Sequence, residues 1–234
     1  MSDPVKIALV SEGITDYVVL KAAMESKLDG RSFILTLLQP EGSVAFTGAG
    51  EAGPFGGGWK GVHKWCLQSA ARGDGRLSGD PLFIIGYDLL VLHLDADVAR
   101  EDSPTERLPC EQPCPPPNAT TNRLRMVMLS WLGETETPPQ TVLCTPSKST
   151  EAWVMTACFP TDREMNRRGW ECHPSPEGRL GQQPKPQRFS KSQVDYEKRQ
   201  AELQSRWPSV VAKLSEAARF QTDFTTAMQA LPAS

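Results

Sequence analysis

The sequence predicts an α/β protein with a central, mostly parallel sheet flanked by helices and a C-terminal helical extension. Three observations carry that prediction. Short apolar runs rich in β-branched and aliphatic residues occur at Val5–Val10, 33–38, 89–94 and Thr141–Cys144, and such runs read as strands with both faces buried. Stretches of helical periodicity lie between them, and this alternation marks the crossover connections of a parallel sheet. With 234 residues, 39% hydrophobic and 23% charged, the chain supports one substantial core and has an ordinary globular balance.

Val5-Lys6-Ile7-Ala8-Leu9-Val10 is the first strand, and Ser11-Glu12-Gly13 is the turn that closes it. Thr15 is expected to cap a helix over 16–28, where Val18, Val19, Ala22 and Ala23 recur at helical spacing and Asp16 meets the positive end of the dipole. The second strand follows at 33–38. Gly, Pro, Ala and Glu dominate 39–58 and predict a mobile loop, which lacks the Gly-Lys-Ser/Thr ending of a phosphate-binding P-loop. A helix over about 60–72 precedes the strand at 89–94, expected to be central, which delivers Asp95-Ala96-Asp97 at its end. Residues 98–118 are polar and proline-rich, 119–132 helical, Thr141–Cys144 a short strand and 150–158 a helix. From 174 to 191 the chain is polar and basic, and amphipathic helices then run to about Leu231. No internal repeat is visible.

No stretch approaches the ~18 apolar residues of a membrane span, and Met1-Ser2-Asp3-Pro4 has no basic n-region or cleavage site. The six cysteines are too few and too scattered for a disulfide framework. Together these predict a soluble cytoplasmic protein with reduced thiols. A formal net charge of −3 gives no global attraction to nucleic acid, so binding to phosphates needs a local basic patch or a bound metal.

Loops that leave the carboxyl ends of parallel strands converge on a shared crevice. Glu12 follows the first strand, Asp95 and Asp97 follow the strand at 89–94, and Glu151 follows the turn after Thr141–Cys144. Carboxylate oxygens suit hard cations such as Mg²⁺ or Mn²⁺, whereas zinc favours Cys and His. In a regular strand Asp95 and Asp97 would share a face about 7 Å apart, so both reach one ion only where the strand ends and turns. Asp-x-Asp also serves commonly as a cap or turn element. Two charges directly after a wholly apolar strand weigh against that reading, because they are awkward unless they project into a crevice.

The segment Lys6-Ile7-Ala8-Leu9-Val10-Ser11-Glu12-Gly13-Ile14-Thr15-Asp16, followed by Leu92-His93-Leu94-Asp95-Ala96-Asp97, resembles the Toprim domain of topoisomerases, primases and OLD-type nucleases. The Glu-Gly-x-Thr-Asp form is most similar to OLD-type nucleases and to small stand-alone Toprim proteins encoded beside ATPases. The resemblance implies a Toprim-like metal-binding catalytic domain over 1–160, with the basic loop and helical extension of 161–234 packed on it. Glu12 and Asp95 would act around a first metal, Asp97 and Asp16 would extend the site, and the chemistry would be phosphodiester hydrolysis of DNA or RNA. OLD-type nucleases also use a lysine beyond a later strand, for which Lys148 in Pro146-Ser147-Lys148-Ser149-Thr150-Glu151 is the candidate. The implied catalytic set is Glu12, Asp95 and Lys148, and the metal set Glu12, Asp16, Asp95, Asp97 and Glu151, for one or two ions. With two ions ~4 Å apart, Asp95 would bridge them, Glu12 would orient or deprotonate water, and Lys148 would offset charge on the phosphate. A separately encoded ATPase partner, a role in anti-phage defence and an oligomeric state are further expectations. The glycine-rich insertion and the long loop after Asp97 depart from the compact family pattern.

Other signals admit other readings. Asp95-Ala96-Asp97-Val98 also fits the start of a haloacid-dehalogenase-type phosphatase motif, with Asp95 as nucleophile, but that leaves Glu12-Gly13-Ile14-Thr15-Asp16 unexplained. A catalytically silent interaction partner of an ATPase is the non-enzymatic alternative. Cys110 and Cys114 have a spacing seen in some zinc sites, which Cys172-His173 could complete; free thiols on a proline-rich loop are the simpler reading. The six tryptophans are expected in the core, with Trp59 beside the glycine-rich loop able to stack on a base. Arg179, Lys185, Arg188 and Lys191 make the C-terminal third locally basic and are candidates for guiding a nucleic-acid strand; a solvated surface is the alternative.

Overall fold

Four strands, Val5–Val10 (β1), Phe33–Gln39 (β2), Leu89–His93 (β3) and Thr141–Cys144 (β4), pair in parallel in the order β2-β1-β3-β4. This is a computed structural model describing residues 3–28, 30–41, 54–190 and 192–231. Around the sheet lie Ile14–Glu25 (α1), Gly58–Arg72 (α2), Pro81–Gly86 (α3), Asn118–Trp131 (α4), Glu151–Cys158 (α5), Arg163–Arg168 (α6), Pro176–Gly181 (α7), Gln193–Glu197 (α8), Gln200–Lys213 (α9) and Ser215–Ala230 (α10). The architecture is therefore α/β with C-terminal helices, as the alternation predicts, and is consistent with a Toprim-like fold.

Strand side chains alternate between faces, and the two faces are covered by different helices. Ile7, Leu9, Leu89, Val91 and Val142 pack with residues of α1, α5, α9 and α10, whereas Ala8, Val10, Leu90, Leu92 and Leu143 pack with α2 and α4. Burial on both sides is why β3 and β4 are apolar at nearly every position. The helices after residue 160 share the first of these cores with β1 and α1.

At the centre of that core Trp153 (1% exposed) meets Trp207 edge-on, with ring centroids 5.2 Å apart, and Phe220 at 5.8 Å. Trp153→Ala is expected to destabilise the fold by about 3–5 kcal/mol, measured as a lower urea midpoint. Trp65, Trp131, Trp170 and Trp207 are also buried, and Trp59 stacks on Trp131 at 6.4 Å.

Several boundaries differ from the sequence expectation. α1 begins at Ile14, because the Gly13 carbonyl accepts the first helical hydrogen bond from Tyr17 N–H (3.3 Å). Gly13 is thus the N-cap, and Thr15 is a buried residue of the first turn. α3 went unpredicted, since Leu82-Phe83-Ile84-Ile85 has neither helical nor alternating polarity. Residues 42–53 of the glycine-rich segment lie outside the described residues.

Cys114 and Cys172 form a disulfide across 58 residues, with Cα atoms 5.5 Å apart. This corrects the expectation of reduced thiols for that pair and removes both sulfurs from the zinc set, since neither is a thiolate. Scattered spacing hid the pairing, which forms because the 170s fold back over the proline-rich loop. Cys66, Cys110, Cys144 and Cys158 are free. Among the described residues, no helix is long and apolar enough to cross a membrane.

Candidate metal centre

Beyond the sheet, pairing between β3 and β4 continues into their loops. Leu94 N–H donates to Cys144 O (3.0 Å), Ala96 N–H to Pro146 O (3.1 Å) and Asp97 N–H to Lys148 O (3.1 Å). This extension runs Asp95 and Asp97 alongside the loop that leads to Glu151, the first residue of α5. After β1, Ser11 Oγ donates to Gly13 O (3.0 Å), and Gly58 N–H at the start of α2 donates to Glu12 O (3.0 Å). The tight turn leaves Glu12 at the strand mouth and puts Asp16 in the first turn of α1.

Glu12, Asp16, Asp95, Asp97 and Glu151 line a single cavity of about 280 Å³. Glu12 Oε1 accepts the Asp95 backbone N–H at 2.8 Å, which ties the ends of β1 and β3 together. Asp95 Oδ1 accepts from Thr150 N–H at 3.2 Å and lies 3.0 Å from His93 Nε2. The Thr150 hydroxyl donates to Asp16 Oδ1 (2.7 Å), and the Tyr196 hydroxyl donates to Glu151 Oε1 (2.9 Å). Asp16 and Glu151 are buried, Glu12 and Asp95 half-buried and Asp97 exposed. Ligand atoms of Glu12, Asp95 and Asp97 lie within 4.8 Å of one another, as do those of Asp16, His93 and Asp95.

This crowding dominates the electrostatics. Burial, and then the neighbouring Asp95, hold the Glu12 carboxyl well above the usual carboxylate range. Burial raises Asp95 well above its ordinary value too, with Asp16, Glu151 and Asp97 adding like-charge repulsion, and burial and Asp16 raise Glu151. Such groups keep protons that solvated carboxylates have lost, and a bound cation displaces them. The donor set is rich in oxygen, which fits Mg²⁺ or Mn²⁺.

A pH dependence follows with a definite sign. Without metal, the native state binds protons at Glu12, Asp95 and Glu151 that the unfolded chain releases above about pH 4, so stability falls as pH rises through the raised values. In EDTA, the thermal midpoint should decline between pH 5 and 8, and Glu12→Gln should flatten that decline. A midpoint that rises over this window would contradict the assignment.

Lys148 is buried, and its Nζ pairs with Glu111 Oε1 at 2.8 Å; Glu111 also takes Arg100 Nε at 2.7 Å. Of the basic candidates, Arg179 is bound to Asp162 (Nη2 to Oδ2, 2.8 Å), Arg188 Nε donates to Gln183 O (3.3 Å) and Lys185 is exposed; Lys191 lies outside the described residues. Sequence reasoning missed His93, Thr150, Glu177 and Tyr196. A lone histidine inside the apolar run Leu89-Leu90-Val91-Leu92-His93 was the available signal for the first. Glu177 and Tyr196 sit on α7 and α8, where no motif marks them. No family model, curated protein or solved structure matches the chain.

Proposed function

We propose that the chain is a Mg²⁺- or Mn²⁺-dependent nuclease that hydrolyses phosphodiester bonds in the acidic crevice, in the manner of a Toprim domain. The convergence of six carboxylates, Glu12, Asp16, Asp95, Asp97, Glu151 and Glu177, from five separate segments on one cavity supports this reading above all. Keeping buried carboxylates close together is costly without a cation, which argues that the arrangement serves one.

Glu12, Asp95 and Asp97 would hold a first ion, and Asp16 and Glu151 stand ready for a second. A divalent ion there would supply charge compensation for a phosphoryl oxygen and activate water. The rest is done by the chain. Glu12 takes a proton from the attacking water; Thr150 and Tyr196 hold Asp16 and Glu151 by hydroxyl hydrogen bonds. His93 orients Asp95 from beneath.

The pairing of Lys148 with Glu111 favours one variant of this reading, in which a partner such as a separately encoded ATPase frees the lysine before it can act on phosphate. A defence role against phage suits such regulation. Incubation of the purified protein with plasmid, single-stranded DNA and tRNA in Mg²⁺, Mn²⁺ or EDTA tests the proposal. Cleavage is expected with metal and none in EDTA; metal-independent cleavage would overturn it. Inertness alone, relieved by a cognate ATPase, supports the regulated form. Release of phosphate from small monoesters with covalent labelling of Asp95 supports a phosphatase instead.

A further inference from the structure

A second cavity, of about 460 Å³, opens between α6 and α7 and has the opposite electrostatic character. Arg163, Arg168 and Arg179 line it against one carboxylate, Glu164, which is already held by Arg167 and Arg168. Arg163, the first residue of α6, is exposed and has no hydrogen-bond or ion-pair partner among the described residues. His173 also lines this cavity and is 6% exposed. Its Nδ1 accepts the Ser175 backbone N–H at 3.2 Å, so the proton of the neutral imidazole sits on Nε2. No acceptor meets Nε2 among the described residues. Burial, with Arg168 adding repulsion, holds the ring below its ordinary pKa, which keeps it neutral. A ring N–H without a protein acceptor and an unpaired guanidinium, both lining one cavity, suit an anion with several oxygens.

The two cavities lie on either side of α7: Glu177 lines the acidic one, and the next residues, Gly178 and Arg179, line the basic one. We infer that the cavity between α6 and α7 is a phosphate subsite for the sugar-phosphate backbone of the strand whose scissile phosphate enters the acidic crevice, an inference that rests on the nuclease reading. A strand crossing α7 would leave one phosphate at the carboxylates and a flanking one with Arg163 and His173. The recognition is of backbone and not of base, so it is indifferent to sequence.

The test reads binding apart from cleavage. In EDTA, anisotropy of a fluorescein-labelled dT20 is titrated with Asp95→Asn protein, alone and combined with Arg163→Ala or with Arg76→Ala, an exposed arginine outside both cavities. Arg163→Ala is expected to weaken binding about tenfold and to reduce the salt slope by about 0.7, the value of one single-strand phosphate contact, while Arg76→Ala changes neither. Because Arg163 has no structural partner, its loss does not threaten the fold. Equal affinity for the Arg163→Ala and parent proteins would overturn the inference, as would saturable binding of inorganic phosphate without binding of the oligonucleotide. Metal-dependent cleavage by the native chain, scored separately, judges the nuclease reading itself.

Discussion

On the proposed nuclease reading, Asp95→Asn is expected to lower nucleic-acid cleavage by about 10³-fold, close to 4 kcal/mol of transition-state stabilisation, while raising the stability of the metal-free protein. The two effects have one cause. Asp95 offers an oxygen to both clusters that could hold a cation and sits where burial meets repulsion from Asp16, Glu151 and Asp97. Asparagine keeps the shape and can still accept from Thr150 N–H, but it removes the charge that a cation needs and that crowding with other carboxylates opposes. Calorimetry with and without metal separates the parts. At 100 times its Kd, Mg²⁺ or Mn²⁺ should stabilise the native chain by about 2.7 kcal/mol, or roughly 5–10 °C, and the variant hardly at all. A variant that loses activity and keeps the full metal-induced shift would move Asp95 from ligation to some other role.

Arg125→Met should destabilise the fold by about 3–5 kcal/mol. Arg125 and Glu216 are buried, with Nη2 2.7 Å from Oε2, and Thr121 Oγ1 donates to the other Glu216 oxygen at 2.8 Å. Arg125 Nε also reaches Leu143 O (3.4 Å) on the outer edge of β4, so this residue both closes a sheet edge and anchors α10 against it. Removing the guanidinium strands a carboxylate in the interior. The double variant Arg125→Met/Glu216→Leu should recover most of the loss, because an apolar pair of similar volume replaces a desolvated ion pair at little cost. Urea midpoints of the single and double variants check both halves; a single variant as stable as the native chain would show that water reaches Glu216.

The strands were legible because burial on both faces writes itself as an uninterrupted apolar run, as in Leu89-Leu90-Val91-Leu92, and needs no information beyond neighbouring residues. The acidic residues were legible for a related reason. Charges placed at the ends of such runs have only the crevice to enter, so Glu12, Asp95 and Asp97 announced themselves, whereas Asp16 joined them only through the resemblance of Glu12-Gly13-Ile14-Thr15-Asp16 to the Toprim motif. Helix limits were read less well, since the Gly13 cap depends on a carbonyl and not on any side chain.

What the sequence by itself determined was the parallel α/β class and the carboxylates at its strand ends, both consequences of local patterning. The tertiary structure alone decided which distant groups complete the picture: the Cys114–Cys172 bond, the Arg125–Glu216 tie, the pairing of Lys148 with Glu111, and the approach of Tyr196 to Glu151. Each joins segments 37 or more residues apart. Polar partners of this kind are chosen by geometry after the core has packed, and a hydrogen bond between two buried side chains leaves no periodicity in either segment that makes it.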